Sequence, residues 1–447
     1  MKILYLFFIC FVLIFSSADS TFSQYYCVPG RFDTSYYFSP LQLDTIGPVS
    51  FGQNIDWLGN PLILTYTIAF PRMSEDPLPM RPFILLIHGG GFIDGDKYDM
   101  KPVMLDFALK GYVCASIDYR IGWNTNGNPF NCSGDGYSLA KAVYRALQDC
   151  KAAFRYFAAN ADLYHIDTAF MFSAGISAGA VSSLMIAFAK QENINLVYPG
   201  LVTELGPLNS ATNGYTIPFR IKSVISSSGG MFDTSYITYS KFIRSSNAVP
   251  VLMFHGTADI EVPYATGFAY ACANYVRTEG SSDITKRLRN LSMAFELDYV
   301  PGGGHENFYP LPYIQLRTGL FLKRILCGQW RQIIIENYTT IFDTTLGIIT
   351  GGIAKIEPSE KNYNLKQNYP NPFNPETKIS YNLSQPGLVQ LKVYDLLGKE
   401  IKTLVNENKA SGSHIVYFNA VDLAGGVYFY RLQINGFSTV KRMIYIK

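Results

Sequence analysis

"FMFSAGISAGAV", residues 170–181, sets a serine between two glycines at the end of an apolar run. Gly175-Ile176-Ser177-Ala178-Gly179 has the spacing G-x-S-x-G. In that pattern a serine on a sharp strand-to-helix turn presents its hydroxyl, and the positions two before and two after it lie too close to neighbouring backbone for a side chain. The flanks carry the reading further than the pentapeptide does. "AFMFSAG" reads as an apolar strand and "AGAVSSLMIAFAKQ" as an amphipathic helix. Ser177 is therefore a candidate nucleophile, and Ala178 sits where the new helix offers a free backbone N–H.

Strand candidates recur on both sides of this turn: "LILTYTIAF" (62–70), "FILLIHGG" (83–90), "YVCASIDY" (112–119), "IKSVISSSG" (221–229), "VPVLMFHG" (249–256) and "MAFELDYV" (293–300). Several are almost continuously apolar, as strands covered on both faces of a parallel sheet must be. Helical patterns lie between them, among them 101–111, 139–161 and 314–328. Strands alternating with helices predict an α/β fold over 24–331, a doubly wound and mostly parallel sheet. Residues 191–218 break the rhythm and read as an insertion on one rim, a possible lid or a cover for apolar surface. The aromatic-rich segment 24–40 has the same two readings.

A serine nucleophile needs a base, an acid and an oxyanion site. On this type of sheet the order along the chain is Ser, acid, His. Of the five histidines, only His305 and His414 follow Ser177 with room for an acid between, and His414 belongs to a later β-rich region. His305, in the loop "PGGGHENF" (301–308), is the candidate base. His88 and His255 each end an apolar strand and read as structural; His165 reads as a surface residue. Asp259, in "VLMFHGTADIEVPY" (251–264), is the first candidate for the acid that orients the imidazole, with Glu261 the second. Asp283, Glu296 and Asp298 read as solvated charges. "HGGGF" (88–92) follows a strand with three bare glycines, so the N–H groups of Gly90 and Gly91, with that of Ala178, can face a developing oxyanion. Neither phosphate-loop spacing, G-x-x-x-x-G-K-[ST] or G-x-G-x-x-G, occurs in this stretch.

Composition excludes other classes. The 447 residues are 48% hydrophobic with a net charge of only +3 and no basic run, which argues against a nucleic-acid partner. Lys2 precedes "ILYLFFICFVLIF" (3–15), an apolar run that fits a signal peptide over 1–23 and falls short of the ~20 residues that span a bilayer. Cleavage after Ser23 is expected, with Ser20 the alternative. No later segment reads as a transmembrane span, so an exported, secreted or cell-surface chain is expected. Six cysteines remain, and fifteen pairings are open to them. Cys114, inside "YVCASIDY", reads as a buried free thiol. No cysteine or histidine spacing suits zinc, and no metal or other cofactor is expected.

The pattern changes near residue 331. A Thr/Ile-rich linker, 332–362, leads to "NYPNPFNPET" (368–377), where prolines forbid helix. "VQLKVYD" then alternates Val389, Leu391 and Val393 with polar neighbours, and turns follow at short spacing. Residues 363–447 are thus expected to form a small all-β sandwich.

With these motifs in place the chain resembles known families. "HGGGF", "DYR" (118–120), "DCKAAFRYFAANADLYHID" (149–167), "GISAGA" and "HGTADIEVPY" are similar to esterases of the α/β-hydrolase superfamily, of the carboxylesterase, hormone-sensitive-lipase-like and feruloyl-esterase-like groups. The resemblance implies a Ser177, Asp259, His305 triad with Gly90, Gly91 and Ala178 as oxyanion hole, and a scaffold role for Asp118, Arg120 and Asp149. Position 176 is Ile where relatives often carry an acidic residue or histidine. "NYPNPFNPETKISYNL", "VYDLLGKE", "GVYFYRL" and "KRMIYIK" resemble the sorting domain of the type IX secretion system; a carbohydrate-binding sandwich is the competing reading. Together they imply a serine esterase acting on small-molecule or polysaccharide-linked carboxylic esters, with secretion machinery as partner. A secreted peptidase on the same triad, or a surface protein that binds without turnover, are the rival readings.

Overall fold

The chain enters its main sheet through a hairpin, β1 (Leu43–Ile55) and β2 (Pro61–Pro71), and continues into β3 (Arg81–Ile87), β4 (Val113–Ile117), β5 (Ile166–Ile176) and β6 (Ile221–Ser227). After β7 (Gly230–Phe232) come β8 (Val251–Gly256), β9 (Gly267–Phe268), β10 (Arg277–Gly280), β11 (Phe295–Val300), β12 (Gln332–Glu336) and β13 (Thr340–Asp343). The structure is a computed structural model and describes residues 25–233, 242–305, 311–337, 340–343, 364–383, 386–395, 399–434 and 437–447. The expected signal peptide and most of the expected linker lie outside the described residues.

Ten strands form one sheet in the order β1-β2-β4-β3-β5-β6-β8-β11-β12-β13. Every neighbouring pair from β4 to β12 is parallel, and antiparallel strands close both edges. Strands β7, β10 and β9 form a separate small sheet. All seven residues of β3 are buried, because helices cover the sheet on both sides. Its side chains alternate between two cores. Phe83, Leu85 and Ile87 pack with the helices Gly136–Ala159 and Ala178–Phe188, while Ile84 and Leu86 pack with Lys101–Leu109 and Leu311–Leu326. The chain leaves β3 for β4 on one side, then returns to β5 on the other. That reversal opens a crevice at the carboxyl ends of β3 and β5, where sheets of this kind place their sites.

Two features differ from the sequence reading. The linker expected from 332 starts later, because the Ile-rich run Gln332–Glu336 pairs in parallel with β11 and Thr340–Asp343 pairs with it in turn. Glu296 and Asp298 are fully buried rather than solvated; Arg317 and Arg324 both contact the Glu296 carboxylate, and Tyr313 donates to Asp298 at 2.9 Å. Residues 191–218, a possible lid or a cover by sequence, are fastened to the helix Gly136–Ala159. Gln148 donates to Leu205 O at 2.8 Å, Asn213 to Ala152 O at 2.8 Å and Thr212 to Asp149 at 2.5 Å. The segment covers that helix.

The aromatic N-terminal segment is also a cover. Tyr26, Phe32 and Phe38 are buried in the second core. A Cys27–Cys327 disulfide and three bonds from Lys323 Nζ to the carbonyls of Tyr26, Val28 and Arg31 fasten it. Cys132 pairs with Cys272, and Cys114 and Cys150 are buried free thiols. Asp149 and Arg120 form a buried pair at 2.9 Å, and Asp118 binds Lys97 and Thr65, so all three act in the scaffold.

The chain divides into two compact units, Met1–Gly352 and Ile353–Lys447. The second unit holds two antiparallel sheets. One comprises β14 (Asn364–Leu365), β15 (Glu376–Leu383) and β18 (Gly412–Asn419); the other orders β17 (Glu400–Lys409), β16 (Gly387–Tyr394), β19 (Gly426–Ile434) and β20 (Phe437–Tyr445). Val389, Leu391 and Val393 point into its core with Ile379, Tyr430 and Met443.

Candidate active site

Ser177 stands at the junction of β5 and the helix Ala178–Phe188 with φ 53° and ψ −120°, a conformation an L residue adopts only when its surroundings impose it. Those surroundings are visible. Ser177 N donates to Ser227 O at 2.8 Å, and Val181 N to Ser177 O at 2.9 Å. The glycines are sterically required: a Cβ on Gly175 would meet Gly179 O at 2.2 Å, and one on Gly179 would meet Ile87 O at 2.1 Å. The turn pushes the serine side chain off the helix axis, where it makes no capping bond.

His305 meets it from the other side of the crevice. Its Nε2 lies 2.7 Å from Ser177 Oγ and its Nδ1 2.7 Å from Asp259 Oδ2. The loops after β8 and β11 are laced together so that both residues arrive at one place. Ala258 N donates to Gly303 O at 2.8 Å, and Gly302 N to Thr257 Oγ1 at 2.8 Å. Gly256 lets them approach, since a Cβ there would sit 2.2 Å from Gly303 O. Ser228 adds a bond from its hydroxyl to His305 O at 3.0 Å.

Asp259 is buried, and burial alone would raise its pKa. The hydrogen bonds from His255 and His305 outweigh that and bring it down to about 2. Its Oδ1 accepts from the N–H groups of Glu261 and Val262 at 2.9 and 3.0 Å. His255 had only a structural reading in the sequence, yet it touches the acid: its Nε2 lies 3.1 Å from Asp259 Oδ2 and 2.9 Å from Val262 O. Two acceptors at Nε2 place the proton there, so Nδ1 accepts from Ser281 Oγ at 2.8 Å. The i,i+4 spacing of His255 and Asp259 was the available signal. Glu261 lies beside the other imidazole nitrogen, 3.8 Å from His305 Nε2.

The loop Gly89–Gly91 forms the facing wall. Gly90 and Gly91 have φ of 99° and 58°, and a Cβ on Gly90 would meet Asp94 O at 2.1 Å. Its carbonyls are engaged elsewhere. Gly89 O accepts from Tyr119 and lies 2.8 Å from His88 Nδ1, Gly90 O accepts from Ile93 N, and Gly91 O accepts from Trp123. The amides of Gly90, Gly91 and Ala178 have no partner among the described residues. Ser177, His305, Gly90 and Gly91 border one cavity of about 510 Å³, whose other lining includes Ile93, Phe130, Ile176, Leu311 and Ile314. A smaller apolar recess of about 40 Å³ opens beside Ser177 and Ala178. None of residues 191–218 lines either space. Among the described residues no cluster of His, Cys, Asp and Glu could hold a metal ion.

Comparison with known families agrees with the fold. The BD-FAE family model matches residues 67–238, which include the glycine loop and Ser177. The chain carries a BD-FAE α/β-hydrolase domain. The Secretion system C-terminal sorting domain matches residues 367–447, and it implies export to the cell surface or beyond. The chain is also similar in fold to an esterase of Thermogutta terrifontis in its butyrate-bound form. Identity is 18% and the TM-score 0.42, over 60% of this chain and 91% of that one. A truncated carbohydrate esterase from gut microbiota is 18% identical with a TM-score of 0.41, over 64% and 99%. A curated relative, the non-reducing polyketide synthase ausA of Aspergillus calidoustus, is 30% identical over 15% of this chain and 4% of its own length. This chain thus spans a small fraction of that protein. Among the described residues no helix is long and apolar enough to cross a membrane.

Proposed function

We propose that the protein is an exported serine esterase in which Ser177 is the nucleophile, His305 the general base and acid, and Asp259 the residue that orients the imidazole. The observation that carries the reading is the continuous relay of 2.7 Å contacts from Ser177 Oγ through His305 to Asp259. His305 Nε2 takes the serine proton as Oγ bonds to the carbonyl carbon of a carboxylic ester. The C=O electrons move to oxygen, which faces the N–H groups of Gly90, Gly91 and Ala178. His305 returns the proton to the departing alcohol oxygen, leaving an acyl-Ser177. Water, deprotonated by the same nitrogen, then releases the acid and restores the serine.

The largely apolar lining suits acyl or aryl ester groups, whether on small molecules or carried on a polysaccharide. The signal peptide over 1–23 directs the chain across the inner membrane, and the sorting domain directs it across the outer one. The test is hydrolysis of p-nitrophenyl esters of increasing acyl length, methyl ferulate, acetylated xylan and an aminoacyl anilide by the secreted chain and its Ser177→Ala variant. Ester turnover abolished by the substitution is expected. Anilide turnover alone would make it a peptidase, and a folded chain that turns over nothing would overturn the enzyme reading.

A further inference from the structure

Tyr270 is held against its backbone preference at the edge of the catalytic cavity. Both Tyr270 and Ala271 have φ of 56°, in a left-handed region that L residues avoid, and two in succession need outside support. The support is next to them. Cys272 is bonded to Cys132, Tyr270 N donates to Glu261 O at 3.0 Å, and Asn274 donates to Cys132 O and Gly134 O at 3.1 and 3.0 Å. The clamp sets the Tyr270 ring edge-on to Phe130 at 5.1 Å. It also brings the hydroxyl over the glycine loop: a Cβ on Gly91 would lie 2.6 Å from it.

The polar atoms around it are engaged. Trp123 donates to Gly91 O, and the Tyr275 hydroxyl accepts from Gly134 N. The Tyr270 hydroxyl has no partner among the described residues, and Tyr270 lines both the main cavity and the recess beside Ser177. Burial, with Glu261 nearby, raises its pKa well above the ordinary value, so it remains a donor.

We propose that Tyr270 is a further catalytic residue, whose hydroxyl donates to the substrate carbonyl oxygen as Ser177 attacks, and that the Cys132–Cys272 disulfide holds it there. The inference rests on the esterase reading above. No bond forms to Tyr270 and its proton stays on it; the hydrogen bond strengthens as the C=O electrons move onto oxygen.

The test is Tyr270→Phe, which keeps the ring, assayed as the full secreted chain on p-nitrophenyl acetate. The expected result is a kcat lower by about 10²-fold with KM nearly unchanged, as for loss of one oxyanion donor. The acid limb of the pH–rate profile stays in place, because Ser177 and His305 are untouched. A double C132S/C272S variant should lower kcat when Tyr270 is present and change it little when combined with Tyr270→Phe, since the two changes remove one contact. An unchanged kcat in Tyr270→Phe, or a rise in KM alone, would overturn the catalytic role. Equal losses from the double serine variant in both backgrounds would overturn the clamp. A parent chain inactive on every ester would instead sink the esterase reading, so the two failures are separable.

Discussion

Replacing Asp259 by Asn tests how the site controls one proton. The side chain keeps its shape, and the two backbone N–H groups of Glu261 and Val262 hold an oxygen at the Oδ1 position. The new NH2 must then occupy the place of Oδ2, where His305 Nδ1 at 2.7 Å and His255 Nε2 at 3.1 Å now present two N–H donors to a carboxylate. A donor facing a donor is repulsive, so the His305 proton moves to Nε2. That nitrogen can then only donate to Ser177 Oγ and can no longer remove its proton. A wrong-tautomer substitution of this kind costs about 10⁴ in kcat, or roughly 5–6 kcal/mol of transition-state stabilisation. The measurement is steady-state hydrolysis of p-nitrophenyl acetate by Asp259→Asn beside Glu261→Gln. Glu261 lies 3.8 Å from Nε2, the nitrogen that faces the serine, so its loss should cost less than about tenfold. The reverse outcome, Asp259→Asn within tenfold of the parent and Glu261→Gln down by thousands, would refute the assignment and make Glu261 the acid.

Two further outcomes follow from the same geometry. Gly179→Ala puts a methyl 2.1 Å from Ile87 O and 2.4 Å from His88 O, so strand and helix must separate by about 1 Å; a stability loss of about 1–3 kcal/mol and about 10² in kcat/KM is expected, read by denaturant melts and ester kinetics, and a fully active, equally stable variant would contradict it. Asp259 has its pKa lowered from 3.8 to about 2, so its contribution of about 2 kcal/mol is present above pH 4 and disappears as pH falls through 2; the stability gap between parent and Asp259→Asn, measured by urea melts, should close over that window, and a gap independent of pH would contradict it.

What the sequence determined by itself was local or followed from chain order. The elbow at Ser177 is legible because the steric demand falls on residues two positions away, and β3 is legible because a strand buried on both faces must be apolar throughout. The alternation of Val389, Leu391 and Val393 shows its sheet because side chains point to opposite faces in turn. The ordering rule singles out His305 as the candidate base, and a position just past a strand and turn makes Asp259 the first candidate acid, without stating a distance. Tertiary structure decided what depends on residues far apart in the chain. The disulfide partners Cys27–Cys327 and Cys132–Cys272 are separated by 300 and 140 residues, and no pattern relates them. Glu296 and Asp298 looked solvated because a charge in a strand says nothing of the arginine that meets it from another helix. Gln332–Glu336 looked like linker because a strand late in the chain is defined by the neighbours it pairs with, here β11 and β13. The tie of His255 to Asp259 shows in their i,i+4 spacing, but its contact with Ser281 and the place of Tyr270 beside the glycine loop arise only when distant segments close on one crevice, since such partners are fixed by the meeting of loops and not by spacing along the chain.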